Sequence, residues 1–264
     1  MKLAPLLEAR GLKKNYGAVK ALRGVDISVR RGETVALVGD NGAGKSTLVK
    51  ILSGVTHPSE GQIYFNGSAV ELRSPNDAKK LGIETVYQDL GLCDNLSVAD
   101  NVFLGRERVR RVGPFHFLDR KTMRKEAAEA LSRLVINAPR PDATIAFLSG
   151  GQRQAAALAR AKLWARDLIL LDEPTAALGV QESRRVIDAV RVMQAQGISL
   201  VIISHNIPLV LEICQRVVVL RHGTKVGDVS TPSLSADDIV GLITGARSEM
   251  IEHHMATESS TCTD

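Results

Sequence analysis

Nine residues, GDNGAGKST at 39–47, carry the clearest chemistry in the sequence. They match G-x-x-x-x-G-K-[ST], follow the apolar run TVALVG at 34–39 and open a predicted helix from Lys45 to Leu52. Glycine-rich backbone at such a turn surrounds phosphate groups with N–H donors, while the lysine adds a positive charge and the serine hydroxyl suits Mg²⁺. The pattern predicts a phosphate-binding loop. The expected contact residues are Gly39, Asn41, Gly42, Ala43, Gly44, Lys45, Ser46 and Thr47.

Two adjacent carboxylates end the apolar segment LILLDEP at 168–174. If this segment is a buried parallel strand, Asp172 and Glu173 lie at its carboxyl end, the edge where such sheets bind ligands. Asp172 would then hold Mg²⁺, directly or through water, and Glu173 would act as general base on the attacking water. Two acids after a strand more often form an exposed turn. The phosphate loop in the same chain favours the catalytic interpretation.

Three further residues gain a role from the same geometry. Gln88 ends the predicted strand GIETVYQ, where its amide could reach the metal and the attacking water. His205 ends SLVIIS, where an imidazole could touch a γ-phosphate; the alternative for both is a satisfied polar cap. Tyr16, ahead of the phosphate loop, is either a core tyrosine or a platform on which an adenine ring stacks.

The segment LSGGQ at 148–152 begins a predicted helix. Ser149 and Gln152 satisfy the S-x-x-Q capping box. That pattern does not explain Gly150 and Gly151, which leave the amides at the positive end of the helix uncovered for a second phosphate group. Because Lys45 and its loop already form one phosphate site, the spare half-site suggests a nucleotide held by another subunit.

Strands and helices alternate along the chain, which predicts an α/β fold. The segments 62–65 and 68–72, joined by Asn66-Gly67, predict a hairpin in an antiparallel side sheet. From about 89 to 160 the strands are expected to stop, leaving helices at 97–103 and 121–135 between looser segments. We therefore predict one domain over residues 1–245, with a catalytic core at 1–88 and 161–245, a helical insert at 89–160 and a frayed tail at 246–264.

Composition limits the class of protein. The net charge is +5, but the basic clusters RERVRR and DRKTMRK contain no interleaved aromatic residues, so a solvated or partner-facing surface is favoured over nucleic-acid binding. The apolar runs fall far short of the roughly 20 residues that a membrane span needs, so we expect a chain that is soluble by itself. Three widely spaced cysteines favour a reducing compartment over a disulfide framework.

Taken in order, GDNGAGKST, Gln88, LSGGQ, LILLDEP and His205 resemble the nucleotide-binding subunits of ATP-binding cassette (ABC) transporters, over about residues 5–245. The resemblance implies a P-loop NTPase (RecA-like) core that binds ATP and Mg²⁺. It also implies a head-to-tail dimer in which Ser149, Gly150, Gly151 and Gln152 complete the partner's site. Permease subunits in the membrane would be driven by closure and reopening of that dimer, through the region after Gln88 and the helical insert.

The stretches 86–107 and 174–179 resemble more narrowly the ATPase subunits of ribose-, xylose- and fructose-type importers. This resemblance implies a peripheral subunit on the cytoplasmic face of the inner membrane, as a homodimer or paired with a second ATPase, served indirectly by a periplasmic sugar-binding protein. Gly179 stands where most cassettes carry an Asp that couples the two sites. Alternatives are an importer of another small solute, a cassette ATPase acting on ribosomes or DNA, and a nucleotide-binding regulator without hydrolysis.

Overall fold

Strands and helices alternate through most of the computed structural model, which describes residues 4–134, 138–247 and 250–251. The strands are β1 (Leu7–Tyr16), β2 (Val19–Val29), β3 (Thr34–Val38), β4 (Glu60–Phe65), β5 (Ser68–Val70), β6 (Ile83–Val86), β7 (Val109–Val112), β8 (Phe115–Leu118), β9 (Leu168–Asp172), β10 (Ser199–Ile203), β11 (Arg216–Arg221), β12 (Thr224–Ser230) and β13 (Met250–Ile251). The α-helices are α1 (Lys45–Leu52), α2 (Pro75–Lys80), α3 (Val98–Val102), α4 (Arg120–Ser132), α5 (Gly150–Trp164), α6 (Val180–Ala195), α7 (Ile207–Ile213) and α8 (Ala236–Thr244).

A seven-stranded sheet in the order β13-β12-β11-β3-β10-β9-β6 forms the centre of the fold. Strands β6, β9, β10, β3 and β11 are parallel, and β12 runs antiparallel to β11. Both faces are covered. Ala36 and Val38 of β3 join a core cluster with helices α3 to α8, whereas Val35 and Leu37 join a second cluster with α1 and the antiparallel strands. Double-sided burial explains why these strands read as continuous apolar runs.

The antiparallel side sheet has the order β2-β1-β4-β5. Its β4–β5 hairpin turns at Asn66 and Gly67, whose φ angles of 52° and 80° fit the type I′ turn that Asn-Gly favours. The predicted hairpin is therefore confirmed. The α/β class and the helical insert, with α3, α4 and α5 packed on each other, also agree with the sequence.

One expectation for the insert is wrong, because strands do not stop between 89 and 160. Residues 109–112 and 115–118 pair as an antiparallel hairpin, with Val109 opposite Leu118 and Arg110 opposite Phe117. Gly113 and Pro114 form the turn of this hairpin, and Gly113 takes the positive φ (59°) that glycine tolerates. Each strand has only four residues, and every one whose burial is described is exposed, so neither gives the usual buried-strand pattern.

Among the described residues, no helix has both the length and the apolar character needed to cross a membrane. The predicted tail at 246–264 lies largely outside the described residues. So do residue 135, the end of the helix predicted at 121–135, and Cys262.

Candidate nucleotide-binding site

The phosphate-binding loop joins β3 to α1, as predicted. Gly39, Gly42 and Gly44 all have positive φ, at 149°, 80° and 105°. A Cβ on Gly39 would lie 2.2 Å from the carbonyl oxygen of Leu220, and one on Gly44 would lie 2.7 Å from that of Ala21. These two glycines are therefore required by close packing within the chain. Gly42 has open space around it, so only its backbone conformation demands glycine.

Lys45 spans this loop from the first turn of α1. Its Nζ donates hydrogen bonds to the carbonyl oxygens of Gly39, at 2.7 Å, and Asp40, at 3.0 Å. Burial lowers the pKa of Lys45, and the nearby carboxylates of Glu173, Asp172 and Asp40 oppose that shift. The ammonium group is thus held at the mouth of the loop, where phosphate oxygens can replace its carbonyl partners.

Glu173 and His205 meet because their strands are neighbours. Ile203 of β10 lies opposite Asp172 of β9, and the N–H of Glu173 donates to the carbonyl of Ile203 at 3.0 Å. Nδ1 of His205 lies 2.9 Å from Oε2 of Glu173. That oxygen is buried, and no hydrogen-bond donor is aligned with it in the described part of the chain. The acid is 14% exposed and the imidazole 76%, so a sheltered carboxylate lies beneath an accessible ring.

The backbone at Glu173 is unusual for its residue type. Its φ is 51°, in the left-handed region that residues with a Cβ rarely adopt. Such strain persists where the surrounding structure imposes it and is concentrated at functional sites. Here it turns the chain directly after Asp172, so that the two carboxylates of one strand end take different positions.

Asp172, Ser46 and Gln88 carry the types of oxygen atom that Mg²⁺ prefers. Burial raises the pKa of Asp172, the Glu173 carboxylate raises it further, and Lys45 and Lys50 oppose the shift. Ser46 is exposed in the first turn of α1, and Gln88 is exposed two residues after β6. A hydroxyl, a carboxylate and an amide oxygen are the hard oxygen ligands that Mg²⁺ prefers, and a cation would relieve the repulsion between the two acids.

Replacing Asp172 with Asn should stabilise the nucleotide-free protein. Because the folded state raises the pKa of Asp172, the folded protein binds the carboxyl proton more tightly than the unfolded chain does. The ionised carboxylate therefore reduces the stability of the fold once the pH exceeds 3.8, the ordinary pKa of an Asp side chain. We expect the variant to melt about 2 °C above the wild type at neutral pH, with the difference shrinking as the pH falls. Thermal unfolding measures this. Asp188→Asn, at an exposed carboxylate of α6, is the control, and an unchanged or lower melting temperature for Asp172→Asn would contradict the argument.

A cavity of about 710 Å³ brings most of these side chains together. It is lined by Gly39, Asp40, Asn41, Lys45, Gln88, Glu173, Ala176 and His205. All but Asp40 and Ala176 are predicted site residues. Those two were missed, although Asp40 sits inside the GDNGAGKST motif itself. Ser46 and Asp172 lie beside the lining residues in sequence without lining the cavity.

Tyr16 lies at the end of β1, outside the cavity lining, and is 48% exposed. The alternative of a core tyrosine is therefore wrong. Lys14 places its Nζ 5.1 Å from the centre of the ring, and the exposed half of the residue is accessible to a stacking partner.

The LSGGQ segment caps α5 as predicted. Oγ of Ser149 accepts from the N–H of Gln152 at 3.3 Å, and Oε1 of Gln152 accepts from the N–H of Ser149 at 3.1 Å. Ser149 and Gly150 are exposed. We call Ser149, Gly150, Gly151 and Gln152 the signature residues and α5, which they begin, the signature helix; none of the four lines the cavity that contains Lys45. The start of α5 thus lies outside the cavity that the chain's own phosphate loop lines.

Gly151 has a second role that the sequence did not indicate. A Cβ there would lie 2.6 Å from Cγ of Glu182, and a Cβ on Gly179 would lie 2.7 Å from Oε2 of the same side chain. Glu182, in the first turn of α6, therefore packs between the starts of α5 and α6. Both glycines provide the space for it.

Comparison with known proteins decides the family. The ABC transporter family model matches residues 22–176, more than half of the chain. The chain belongs to the ABC transporter family. This confirms the resemblance, the nucleotide-binding cassette and the ATPase activity that the sequence predicts.

Similar curated proteins are sugar import ATP-binding proteins. The chain is 44% identical to the fructose import ATP-binding protein FrcA of Rhizobium meliloti, over 92% of this chain and 95% of the relative. It is also 44% identical to the xylose/arabinose import ATP-binding protein XylG of Sulfolobus acidocaldarius, with the same coverage. The ribose import ATP-binding protein RbsA of Caldanaerobacter subterraneus is 39% identical, and the chain spans about half, 49%, of its length.

Solved structures show the same fold. A nucleotide-free ATP-binding cassette from an ABC transporter matches with a TM-score of 0.76 and 24% identity, over 91% of this chain and 96% of that one. The cassette MJ0796, in a dimeric post-hydrolysis state bound to ADP and Pi, matches with a TM-score of 0.74 and 25% identity, over 86% of this chain and all of that one.

Proposed function

We propose that this chain is the ATP-hydrolysing subunit of an ABC importer for a monosaccharide such as fructose, ribose or xylose. The observation that carries the hydrolytic part is the buried oxygen of Glu173, which has no aligned hydrogen-bond donor and whose residue shares one cavity with Lys45, Gln88 and His205. The names of the relatives, fructose, xylose/arabinose and ribose import ATP-binding proteins, support the sugar part.

The proposed mechanism assigns the chemistry to residues at three strand ends. Lys45 and the loop N–H groups hold the β- and γ-phosphates of ATP, with Tyr16 stacked on the adenine. Glu173 accepts a proton from the attacking water as it approaches the γ-phosphorus. His205, held beside Oε2 of that carboxylate, hydrogen-bonds the γ-phosphate and keeps the acid in place.

Ser46, Gln88 and Asp172 are proposed to hold the Mg²⁺, which when bound neutralises charge on the transferred phosphoryl group. The other loop contacts proposed are those of Asn41, Gly42, Ala43 and Thr47.

The second half of the site is proposed to come from another cassette. Ser149 and Gly150 are exposed at the start of α5, and a helix N-terminus attracts phosphate. With Gly151 and Gln152 they would close over the γ-phosphate held by the partner's loop. A homodimer satisfies this requirement, and so does pairing with a second ATPase subunit.

A cleft of about 340 Å³ between core and insert is the proposed permease contact. Its lining includes Tyr87 from the core, Leu104 from the insert and Trp164 at the end of α5. Arg160 of α5 lines it too, and donates to the carbonyls of Leu90 and Gly91, each at 2.7 Å. A permease segment in this cleft would therefore act on the signature helix and on the residues after Gln88 together. The location proposed is the cytoplasmic face of the inner membrane, with a periplasmic sugar-binding protein acting indirectly.

Mixed dimers test the shared site. A Lys45→Ala subunit has a damaged loop and an intact signature helix, and a Ser149→Arg subunit has the reverse. Each alone should be inactive, whereas an equal mixture should recover about a quarter of wild-type ATPase activity, because half of the random dimers contain one intact composite site. Ser132→Arg, at an exposed serine of α4, is the control and should retain full activity. Paired, folded subunits with no recovered activity would contradict independent composite sites.

Cargo is tested separately, by reconstitution with the permease and binding-protein subunits that co-purify with the chain. Stimulation of ATP hydrolysis by one of the three sugars supports the proposal. Stimulation by a different solute would support an importer but contradict the monosaccharide cargo. Co-purification with ribosomes or DNA in place of a permease would contradict the transport function.

A further inference from the structure

The hairpin formed by β7 and β8 projects from the helical insert with its apolar side chains uncovered. Val109 is 59% exposed, Phe115 65%, Phe117 51% and Leu118 49%. They lie on both faces, because Phe115 and Phe117 alternate with Leu118, which pairs with Val109. An isolated two-stranded hairpin is marginally stable in water, and apolar residues on both of its faces add exposed surface that nothing in the described chain covers.

The base of this hairpin is fixed to the rest of the insert. The N–H of Asp119 donates to the carbonyl of Arg108 at 2.8 Å, and the Arg108 guanidinium pairs with Glu126 of α4 at 2.8 Å. The same guanidinium lies over the rings of Phe103 and Trp164. The exposed tip is therefore presented by an anchored base.

Charge on and beside the hairpin is strongly positive. Residues 106–125 contain eight Lys or Arg and two Asp or Glu, a net charge of +6, whereas the whole chain carries +5. The rest of the molecule is thus close to neutral. Arg110 and Arg111 form no ion pair among the described residues, and Arg110 lies directly opposite Phe117.

A basic cleft lies at the base of the hairpin, with a volume of about 620 Å³. Arg110, Arg120, Lys121 and Lys125 line it, together with the single acid Asp119, which caps α4 and is bonded to Thr122. Four cations around one cleft suit a phosphate-bearing group. The aromatic residues of the hairpin stand next to it.

We propose that this hairpin rests on the anionic lipid headgroups of a membrane. Exposed Phe and Leu side chains beside Lys and Arg are typical of segments that insert shallowly into an anionic membrane surface. The cytoplasmic loops of membrane proteins carry an excess of Lys and Arg, so a +6 segment is repelled by them and attracted by lipid. Nucleic acid would stack its bases on the aromatic rings, but it offers no apolar surface that would make the burial of Val109 and Leu118 favourable.

Vesicle sedimentation with the full, nucleotide-free chain tests this inference without requiring the proposed transport function. We expect binding to phosphatidylcholine vesicles containing phosphatidylglycerol, and little binding to phosphatidylcholine alone or in high salt. Arg110→Gln with Arg111→Gln should weaken the partition coefficient by roughly 30-fold. Phe115→Ser with Phe117→Ser should weaken it by about tenfold or more.

Matched controls remove the same groups elsewhere. Arg133→Gln with Arg185→Gln loses the same charge from exposed positions, and Phe147→Ser removes another exposed phenylalanine; both should bind vesicles as the wild type does. Retained ATPase activity shows that the hairpin variants fold, since no hairpin residue lines the nucleotide cavity. The inference is overturned by absent vesicle binding, by hairpin variants that bind like the wild type, or by binding of polydeoxythymidine that replaces lipid binding and disappears in the same variants.

Discussion

Glu173→Gln should reduce steady-state ATP hydrolysis by roughly 10²- to 10⁴-fold while leaving ATP binding intact. The amide has nearly the shape of the carboxylate, so the turn at positive φ and the packing around it are kept. What disappears is the capacity of the buried oxygen, 2.9 Å from Nδ1 of His205, to accept a proton from water. The variant is therefore expected to lose the proposed general base while the phosphate loop keeps its ligand.

Two measurements check this prediction. Steady-state phosphate release gives the loss of turnover, and size-exclusion chromatography in Mg-ATP detects the closed dimer that should accumulate when ATP is bound but not hydrolysed. Glu212→Gln, at an exposed carboxylate of α7 that pairs with Arg184 and Arg191, should keep wild-type turnover. Hydrolysis that survives in Glu173→Gln would mean that another group takes the proton.

Much of the site could be predicted from sequence because it lies at strand ends. Apolar runs predicted β3, β9 and β10, and parallel strands bring their carboxyl ends to one edge, so the loop at Lys45, Glu173 and His205 were expected at that edge. The strand order β3-β10-β9 then makes them neighbours. The turn at Asn66 and Gly67 was predictable for a local reason, since its residue types favour one turn geometry.

Other features depend on contacts that no local pattern contains. Gly151 and Gly179 are far apart in the chain and share a neighbour in Glu182 only after α5 and α6 have packed together. The role of Gly151 in leaving α5 uncovered was predicted, whereas its role in accommodating Glu182 was not. The hairpin at 109–118 was missed because its strands are short and mix basic with apolar residues on both faces. Helices α2 and α7 do begin at recognisable helix-start residues, Ser74-Pro75 and Asn206.

Arg216→Leu should have the largest effect on stability, with a loss of about 3–5 kcal/mol in the free energy of unfolding. Arg216 begins β11, and its side chain is only 5% exposed. It donates to Oε1 of Glu33 at 2.7 Å, to Asp228 of β12 and to the carbonyl oxygen of Ser28 at the end of β2. One guanidinium thus joins the central sheet to the antiparallel side sheet.

The reason for so large a loss is what remains after the substitution. Glu33 and Asp228 are 10% and 14% exposed, and without Arg216 the fold must keep two sheltered carboxylates with too little positive charge. Among the described residues, only Lys225 would still form an ion pair with Asp228, at 3.0 Å. Adding Glu33→Gln and Asp228→Asn to Arg216→Leu should therefore recover part of the stability. Urea unfolding measures each step. Arg73→Leu, which removes an equally short ion pair from a fully exposed position, should leave the midpoint unchanged, and a comparable loss there would show that the burial of the Arg216 cluster is not the cause.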